Sequence, residues 1–124
     1  MIFTDKQFVR WDDLDAMGHV NNATYLTYIQ ETRFLWLSNL EMVVARAEVD
    51  FLEPIYVGGR FVDVTLWVES IGNSSFVLAY EVMGDNGVVH ARVKTVQVTI
   101  SPETKKSRPL KDSEREFLTT YLKA

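Results

Sequence analysis

Apolar residues follow a helical period in one segment of the chain and a strand period in most of the remainder. Between residues 22 and 39 they recur three and four positions apart, which predicts one long amphipathic helix. Elsewhere apolar and polar residues alternate, and clusters of turn-forming residues separate the alternating stretches. The pattern predicts strands at residues 2–11, 43–51, 61–70, 75–83 and 88–100.

The predicted helix carries more apolar residues than a helix that only covers a surface. Its main apolar face collects Tyr25, Tyr28, Ile29, Thr32, Leu35 and Trp36. Because Leu26, Phe34 and Leu37 widen this face, we expect protein to surround most of the helix. Asn21 or Asn22 is expected to cap the first turn, since an Asn side chain accepts a hydrogen bond from a free backbone N–H there.

These elements define an α+β fold. A strand, a helix and then four strands joined as hairpins predict a curled antiparallel sheet of about five strands wrapped around one long central helix. The segment Asp85–Gly87 marks a tight hairpin turn, and a short amphipathic helix is expected at residues 109–122. The length of 124 residues suits one domain, 1–124. The exposed edge strands of such a sheet favour pairing of two copies.

Composition and charge narrow the classes of function. With a net charge of -4 and a pI near 5.1, the chain lacks the basic character of a nucleic-acid-binding protein, so we expect no nucleic-acid partner. It has no cysteine and only two histidines, so we expect no metal site. The first residues show no basic stretch followed by an apolar run, and no apolar window is long enough to span a bilayer. We therefore expect a cytoplasmic protein with no membrane partner.

Candidate chemistry is concentrated in residues 12–22, just before the helix. Three acids, Asp12, Asp13 and Asp15, and one imidazole, that of His19, lie next to the free N–H groups of the first helical turn. A helix N-terminus stabilises a developing oxyanion, and a nearby carboxylate can act as a general base or a nucleophile. The same residue types are also typical of helix caps and structural contacts. The pattern indicates a candidate site for attack on an ester or thioester carbonyl, with the structural interpretation still open.

A longer motif in this region resembles a known family. Residues 13–33, DLDAMGHVNNATYLTYIQETR, contain a D-x-D pair, a glycine three residues on, an asparagine-rich helix start, Y-x-x-Y and E-x-R. This arrangement is similar to the signature of the 4-hydroxybenzoyl-CoA thioesterase family, whose members have the hot-dog fold. The segments RAEVDFLEPIYVGG and VESIGNSSF are also similar to that family. The resemblance covers about residues 5–101 and agrees with the fold expected from periodicity.

The resemblance implies an acyl-CoA thioesterase with a particular set of site residues. Asp15, the second Asp of D-x-D, is implied as the catalytic carboxylate, either as a nucleophile on the thioester carbonyl or as the base that activates water. A backbone N–H near Asn22 is implied as the oxyanion contact, at a position where the benzoyl-CoA enzymes have Tyr. The substrate-binding residues that it implies are Gly18, Asn21 and Tyr25.

The resemblance also implies the substrate, the cofactor requirement and the assembly. The substrate is expected to be a small or medium acyl-CoA, which is hydrolysed to the free acid and CoA. No metal or redox cofactor is implied, since coenzyme A is itself part of the substrate. Family members pair so that two sheets become continuous, which implies a homodimer or a homotetramer. The basic residues that are candidates for contact with the CoA phosphates are Arg60, Arg92, Lys94, Lys105, Lys106 and Arg108.

A second motif leaves open whether the acyl group of the substrate is carried by coenzyme A or by acyl carrier protein. The G-H-V-N-N stretch resembles the D-x-N-x-H-V-N-N pattern of acyl-ACP thioesterases, although Met17 stands where that pattern has its inner Asn. The matching residues are Asp15, His19, Asn21 and Asn22. In this interpretation His19 orients the attacking water or the carboxylate. A non-catalytic acyl-CoA-binding protein on the same fold is the other alternative, and the histidine motifs of hot-dog dehydratases are not found.

Overall fold

The computed structural model describes residues 1–123 and contains a five-stranded sheet with two helices. The strands are β1 Phe3–Val9, β2 Met42–Phe51, β3 Arg60–Ile71, β4 Ser75–Met83 and β5 Val89–Thr99. The helices are α1 Thr24–Trp36 and α2 Asp112–Thr120, and a 3-10 turn covers Trp11–Asp13. Across residues 1–123, neither helix has the length and apolar character that crossing a membrane would require.

Neighbouring strands of the sheet are all antiparallel, in the order β1-β3-β4-β5-β2. Alternation in β3 and β4 places apolar side chains on one face, against which α1 packs. The buried residues of α1 are Tyr25, Tyr28, Ile29, Thr32 and Trp36. They form the core together with sheet residues such as Val64, Leu66 and Leu78, which have no exposed surface. The prediction of an α+β fold with about five antiparallel strands is confirmed.

The first helix is shorter than the predicted span of residues 22–39. It has 13 residues. Before it begins, the Asn21 side chain accepts a hydrogen bond of 2.9 Å from the Ala23 N–H, which closes a separate turn. At its end Leu37 takes non-helical backbone angles, with φ -149° and ψ 89°, and the helix stops. The prediction of one long central helix is therefore not confirmed, and the predicted asparagine cap acts on the preceding turn.

The first helix is also less enclosed than its composition predicts. Leu35, which the periodicity assigned to the buried face, is 66% exposed, and Phe34 is 59% exposed, because the sheet covers only one side of the helix. In β2 a bulge between Val44 and Arg46 breaks the alternation, and Val43 and Val44 are both exposed. One side of α1 and the β2 edge of the sheet therefore present apolar side chains at the surface.

The second helix closes one end of the core beside α1. The Trp36 ring packs against Phe117 and Tyr121, with centroids 5.4 Å apart in both pairs. Before the first turn, the Arg108 guanidinium donates two hydrogen bonds of 2.9 Å to the Glu114 carboxylate. Such a two-point contact fixes the approach of the chain to the helix. The predicted short C-terminal helix is confirmed.

Candidate active site

A tight turn between Leu14 and Val20, the Asp15 turn, brings Asp15 and His19 together. Its two end residues pair as an antiparallel bridge. Inside it the Asp15 N–H donates to the His19 carbonyl over 2.8 Å, and the Gly18 N–H donates to the Asp15 carbonyl over 3.0 Å. Gly18 has a φ of +83°, a conformation that residues with a side chain rarely adopt. The predicted substrate-binding glycine therefore has a structural role of its own, which is to let the turn close.

The carboxylate of Asp15 and the imidazole of His19 lie side by side in this turn. Oδ1 of Asp15 accepts the Met17 N–H over 2.9 Å, and Oδ2 lies 3.5 Å from Nδ1 of His19. Nδ1 also lies 3.3 Å from the Val20 carbonyl oxygen. A carbonyl can only accept, so this contact is a hydrogen bond in the tautomer whose Nδ1 carries the hydrogen, and in that tautomer Nε2 is an acceptor. The side chains of Asp15 and His19 are 28% and 31% exposed, so water reaches both.

A cavity of about 320 Å³ opens beside the Asp15 turn. Its lining comes from the turn, the helix start, the last residue of β2 and the chain after it: His19, Val20, Asn22, Tyr25 and residues 51–54. Asp15 is not part of the lining and adjoins the cavity through its contact with His19. The ring of Tyr56 packs edge-on against His19, with centroids 6.3 Å apart. The structure thus places His19 and Asn22 at one opening, with Asp15 in contact with His19.

Just before α1, the Asn22 N–H is a backbone donor beside this cavity. The neighbouring N–H groups are occupied, since that of Asn21 donates to the Asp13 carbonyl and that of Thr24 to the Asn21 carbonyl, each over 2.9 Å. The Asn22 N–H makes no hydrogen bond to the described part of the chain, and Asn22 lines the cavity. A developing oxyanion could accept from this N–H. Asn21, in contrast, is not in the lining, because its side chain is bound to the Ala23 N–H.

The two tyrosines of the Y-x-x-Y motif have different positions. Tyr25 is 2% exposed and lines the cavity, and burial raises the pKa of its hydroxyl. Tyr28 donates to Oδ2 of Asp13 over 2.7 Å, and the same oxygen accepts the Arg10 N–H over 2.9 Å. Burial, and then the neighbouring carboxylate, raise the pKa of Tyr28, so its O–H remains the donor. The first Asp of D-x-D therefore ties the Asp15 turn to the helix.

The segment after β2 supplies residues that sequence reasoning missed. Tyr56 contacts His19, and the cavity is lined from this side by Phe51, Leu52 and Pro54. The family resemblance includes this segment, but no motif in it marks a contact with residue 19. Gly58 explains how the segment approaches the site, since a Cβ there would lie 2.8 Å from Cα of Trp11. Only a glycine lets the segment pack on the 3-10 turn that precedes the Asp15 turn.

The five-stranded antiparallel sheet with its two helices defines a class of protein, the hot-dog fold of thioesterases. The profile of the thioesterase-like superfamily matches residues 9–118, and the chain belongs to this family. The family resemblance read from the D-x-D motif is confirmed, and so is the prediction of a thioester hydrolase.

Individual relatives are similar over most of the chain. A 1,4-dihydroxy-2-naphthoyl-CoA hydrolase of Rippkaea orientalis is 28% identical, over 89% of this chain and 90% of its own. The long-chain acyl-CoA thioesterase FadM of Escherichia coli is 27% identical, over 93% of this chain and 96% of its own. A thioesterase from Thermus thermophilus, solved in complex with coenzyme A and Zn, is similar with a TM-score of 0.86 and 32% identity, over 95% of this chain and 92% of that one.

Proposed function

We propose that the chain is an acyl-CoA thioesterase that hydrolyses a small or medium acyl-CoA to the free acid and coenzyme A. The observation that carries the proposal is the meeting of three groups beside one cavity. The Asp15 carboxylate and the His19 imidazole lie 3.5 Å apart, and the Asn22 N–H is available as a donor. A base and an oxyanion donor are what attack on a carbonyl requires. The relatives that act on acyl-CoA thioesters support the choice of carrier.

In this proposal the attack begins at Asp15. Its carboxylate either takes a proton from a water that attacks the carbonyl carbon, or attacks that carbon to form an anhydride that water then hydrolyses. In both routes the C–S bond breaks and the sulfur leaves as the thiolate of coenzyme A. His19 orients the carboxylate or the water, and the Asn22 N–H binds the oxyanion. Neither route transfers electrons, so we propose no redox cofactor.

The proposed acyl group follows from the walls and size of the cavity. Tyr25, Phe51 and Leu52 give it apolar walls. Its volume of about 320 Å³ is at the lower end for ligand cavities, which supports a small or medium acyl group. The relatives named above act on a dihydroxynaphthoyl group and on long-chain acyl groups, so acyl length is the property that most needs a measurement.

We further propose that two copies of the chain pair along β2. This strand of 10 residues is at the edge of the sheet, and exposed edges favour pairing. Val43, Val44 and Phe51 are 47%, 42% and 48% exposed, and their burial would stabilise the pair. Because Phe51 also lines the cavity, the second copy would cover its open side. Light scattering should give the mass of a homodimer, or of a homotetramer if dimers associate, and a monomer would contradict the pairing.

Thiol release from a panel of acyl-CoAs of increasing acyl length, read with a thiol-reactive dye, tests the proposed activity. The chain has no cysteine, so the protein contributes no background. Release that is fastest for short and medium acyl groups is the expected result. Faster release from the same acyl groups on acyl carrier protein would correct the carrier. A folded protein that releases thiol from none of these thioesters would overturn the proposal.

A further inference from the structure

One wall of the candidate cavity is formed by residues 51–54, the wall segment. Its first residue, Phe51, ends β2, and the chain has no helix or strand from residue 52 until β3 begins at Arg60. Phe51 and Leu52 are 48% and 45% exposed, so packing alone does not fix them. A segment of this kind keeps its position through hydrogen bonds to other parts of the chain.

Three hydrogen bonds join the wall segment to His90, the second residue of β5. The His90 carbonyl oxygen accepts the N–H groups of Leu52 and Glu53, over 2.9 and 3.2 Å. Nδ1 of the His90 ring lies 2.8 Å from the Glu53 carbonyl oxygen, and this contact is a hydrogen bond when Nδ1 carries the hydrogen. Any residue at position 90 could make the two backbone contacts. The third contact needs a side-chain donor, which the imidazole supplies.

The turn between β4 and β5 packs against the other end of this imidazole. A Cβ at Gly84 would lie 2.8 Å from Nε2 of His90, so the ring has room only because residue 84 is a glycine. The turn is closed by its own backbone, since the Gly84 N–H donates to the Val88 carbonyl over 2.9 Å. The His90 ring is therefore held between a fixed turn and the wall segment, and its Nδ1 is a donor in a fixed position.

The chain directly after the wall segment is anchored to the Asp15 turn. The Val20 N–H donates to the Ile55 carbonyl over 2.8 Å, and Val20 itself lines the cavity. Pro54, which also lines the cavity, lies between this anchor and the anchor from Glu53 to His90. A proline has no N–H of its own to donate. The position of the wall at Leu52 and Pro54 therefore depends on the two anchors.

We propose that His90 is a positioning residue of the candidate active site, which holds the wall that the acyl group contacts. It lies outside the lining of the candidate cavity and acts through the Glu53 carbonyl. The wall segment contains neither the Asp15 carboxylate nor the Asn22 N–H, so its loosening should weaken binding of the acyl group and leave the chemical step intact. This inference rests on the proposed function, because it concerns the acyl group of the same substrate.

Two substitutions separate the hydrogen bond from the bulk of the ring. His90→Leu occupies a similar volume without a donor, whereas His90→Asn keeps an amide N–H at the position of Nδ1. We expect His90→Leu to raise KM about fivefold for the acyl-CoA that the wild type prefers, with kcat changed less than about twofold. His90→Asn should keep the wild-type KM. An unchanged KM in His90→Leu, or an equal rise in both variants, would overturn the proposal.

Arg115→Met is the matched control, because it also removes side-chain hydrogen bonds that hold a loop. The Arg115 guanidinium donates to the carbonyl oxygens of Gly72 and Asn73, over 2.8 and 3.2 Å, in the turn between β3 and β4. That turn does not line the candidate cavity. KM should therefore stay at the wild-type value. A rise equal to that of His90→Leu would mean that general loosening accounts for the effect, which would overturn the proposal.

Gly84→Ala reaches the same contact without changing His90. The new Cβ would displace the imidazole from its place beside the turn. We expect KM to rise about as much as in His90→Leu, and no further when the two substitutions are combined, because both break one contact. KM rises that multiply in the double variant would show that Gly84 does not act through His90, against the proposal.

Amide hydrogen exchange tests the inference without reference to activity. The Leu52 and Glu53 N–H groups donate to the His90 carbonyl, so their exchange measures how often the wall segment opens. We expect exchange about fivefold faster in His90→Leu and unchanged in His90→Asn. Unchanged exchange in His90→Leu would overturn the inference. If the wild type hydrolyses no thioester, the proposed function fails, and the exchange rates still decide whether the His90 side chain holds the wall segment.

Discussion

The Asp15 turn and the end of the edge strand β2 lie on two sides of the candidate cavity, and they are built in different ways. Backbone hydrogen bonds and a glycine at positive φ fix the turn. The β2 edge instead presents apolar side chains at the surface, since Val43, Val44 and Phe51 are 47%, 42% and 48% exposed. Groups that act on a reacting carbonyl must be in place before the reaction, whereas an exposed sheet edge is free to pair with the second copy proposed above. The comparison predicts that changes in the turn lower kcat and that changes at the β2 edge alter assembly.

After Asp15 itself, His19 is where a change should have the largest effect on hydrolysis. His19→Asn keeps an amide donor for the Val20 carbonyl but places nothing at the position of Nε2. We expect kcat for acyl-CoA to fall roughly 10²-fold, with KM little changed. His19→Gln is the companion variant, because its amide reaches the Nε2 position without being a base. Steady-state kinetics of both variants measure whether His19 takes part in hydrolysis. A wild-type kcat in both would show that His19 has only a structural role.

A smaller effect is expected from the hydrogen bond between Tyr28 and Asp13. Tyr28→Phe removes the hydroxyl that donates to the carboxylate and leaves that oxygen with the Arg10 N–H alone. The free energy of unfolding should fall by about 1–2 kcal/mol, and kcat should fall about threefold as the turn loosens.

Tyr121→Phe is the control for this experiment, because the Tyr121 hydroxyl makes no hydrogen bond within residues 1–123. Denaturant unfolding of both variants measures the difference in stability. Equal stability and equal kcat in Tyr28→Phe and Tyr121→Phe would show that the contact does not hold the turn.

The smallest effect on hydrolysis is expected at Glu114, which belongs to neither region. The hydrogen bonds from Arg108 hold the pKa of Glu114 below its ordinary value. A carboxylate with a lowered folded-state pKa stabilises the fold above its unfolded pKa of about 4.3, and this contribution is lost as the pH falls through the folded-state pKa. Glu114→Gln should therefore be about 1–2 kcal/mol less stable at neutral pH, with wild-type kcat and KM.

The pH dependence of that difference checks its origin. Unfolding of wild type and Glu114→Gln should converge in acid, once Glu114 is protonated in the folded protein as well. A difference in stability that stays constant down to acid pH would mean that packing, and not the ion pair, accounts for it.

The sequence predicted the order and type of the elements because their signals are local. Alternation in β3 and β4 and the turn at 85–87 depend only on neighbouring residues. How much of the first helix is buried could not be predicted from the sequence. Leu35 has the right spacing for a buried face but is 66% exposed, because burial depends on what lies against the helix. The bulge in β2 after Val44 likewise depends on pairing with β5.

The same distinction applies to the candidate site. Asp15, His19 and Asn22 were identified because they lie within one contiguous motif. Tyr56 was not assigned to the site, because its proximity to His19 depends on how the segment after β2 packs on the Asp15 turn. That packing includes the hydrogen bond of 2.8 Å from the Val20 N–H to the Ile55 carbonyl. No pattern within either segment alone predicts this contact between the two segments.

The kcat of Asp15→Asn for acyl-CoA, measured beside that of Asp12→Asn, tests the central claim most directly. Asn in place of Asp15 keeps an acceptor for the Met17 N–H but is neither a base nor a nucleophile. Asp12 is an exposed acid of the preceding 3-10 turn and serves as the matched control. We predict a fall in kcat of at least about 10²-fold for Asp15→Asn and a wild-type kcat for Asp12→Asn. A folded Asp15→Asn variant that hydrolyses acyl-CoA at the wild-type rate would contradict the account.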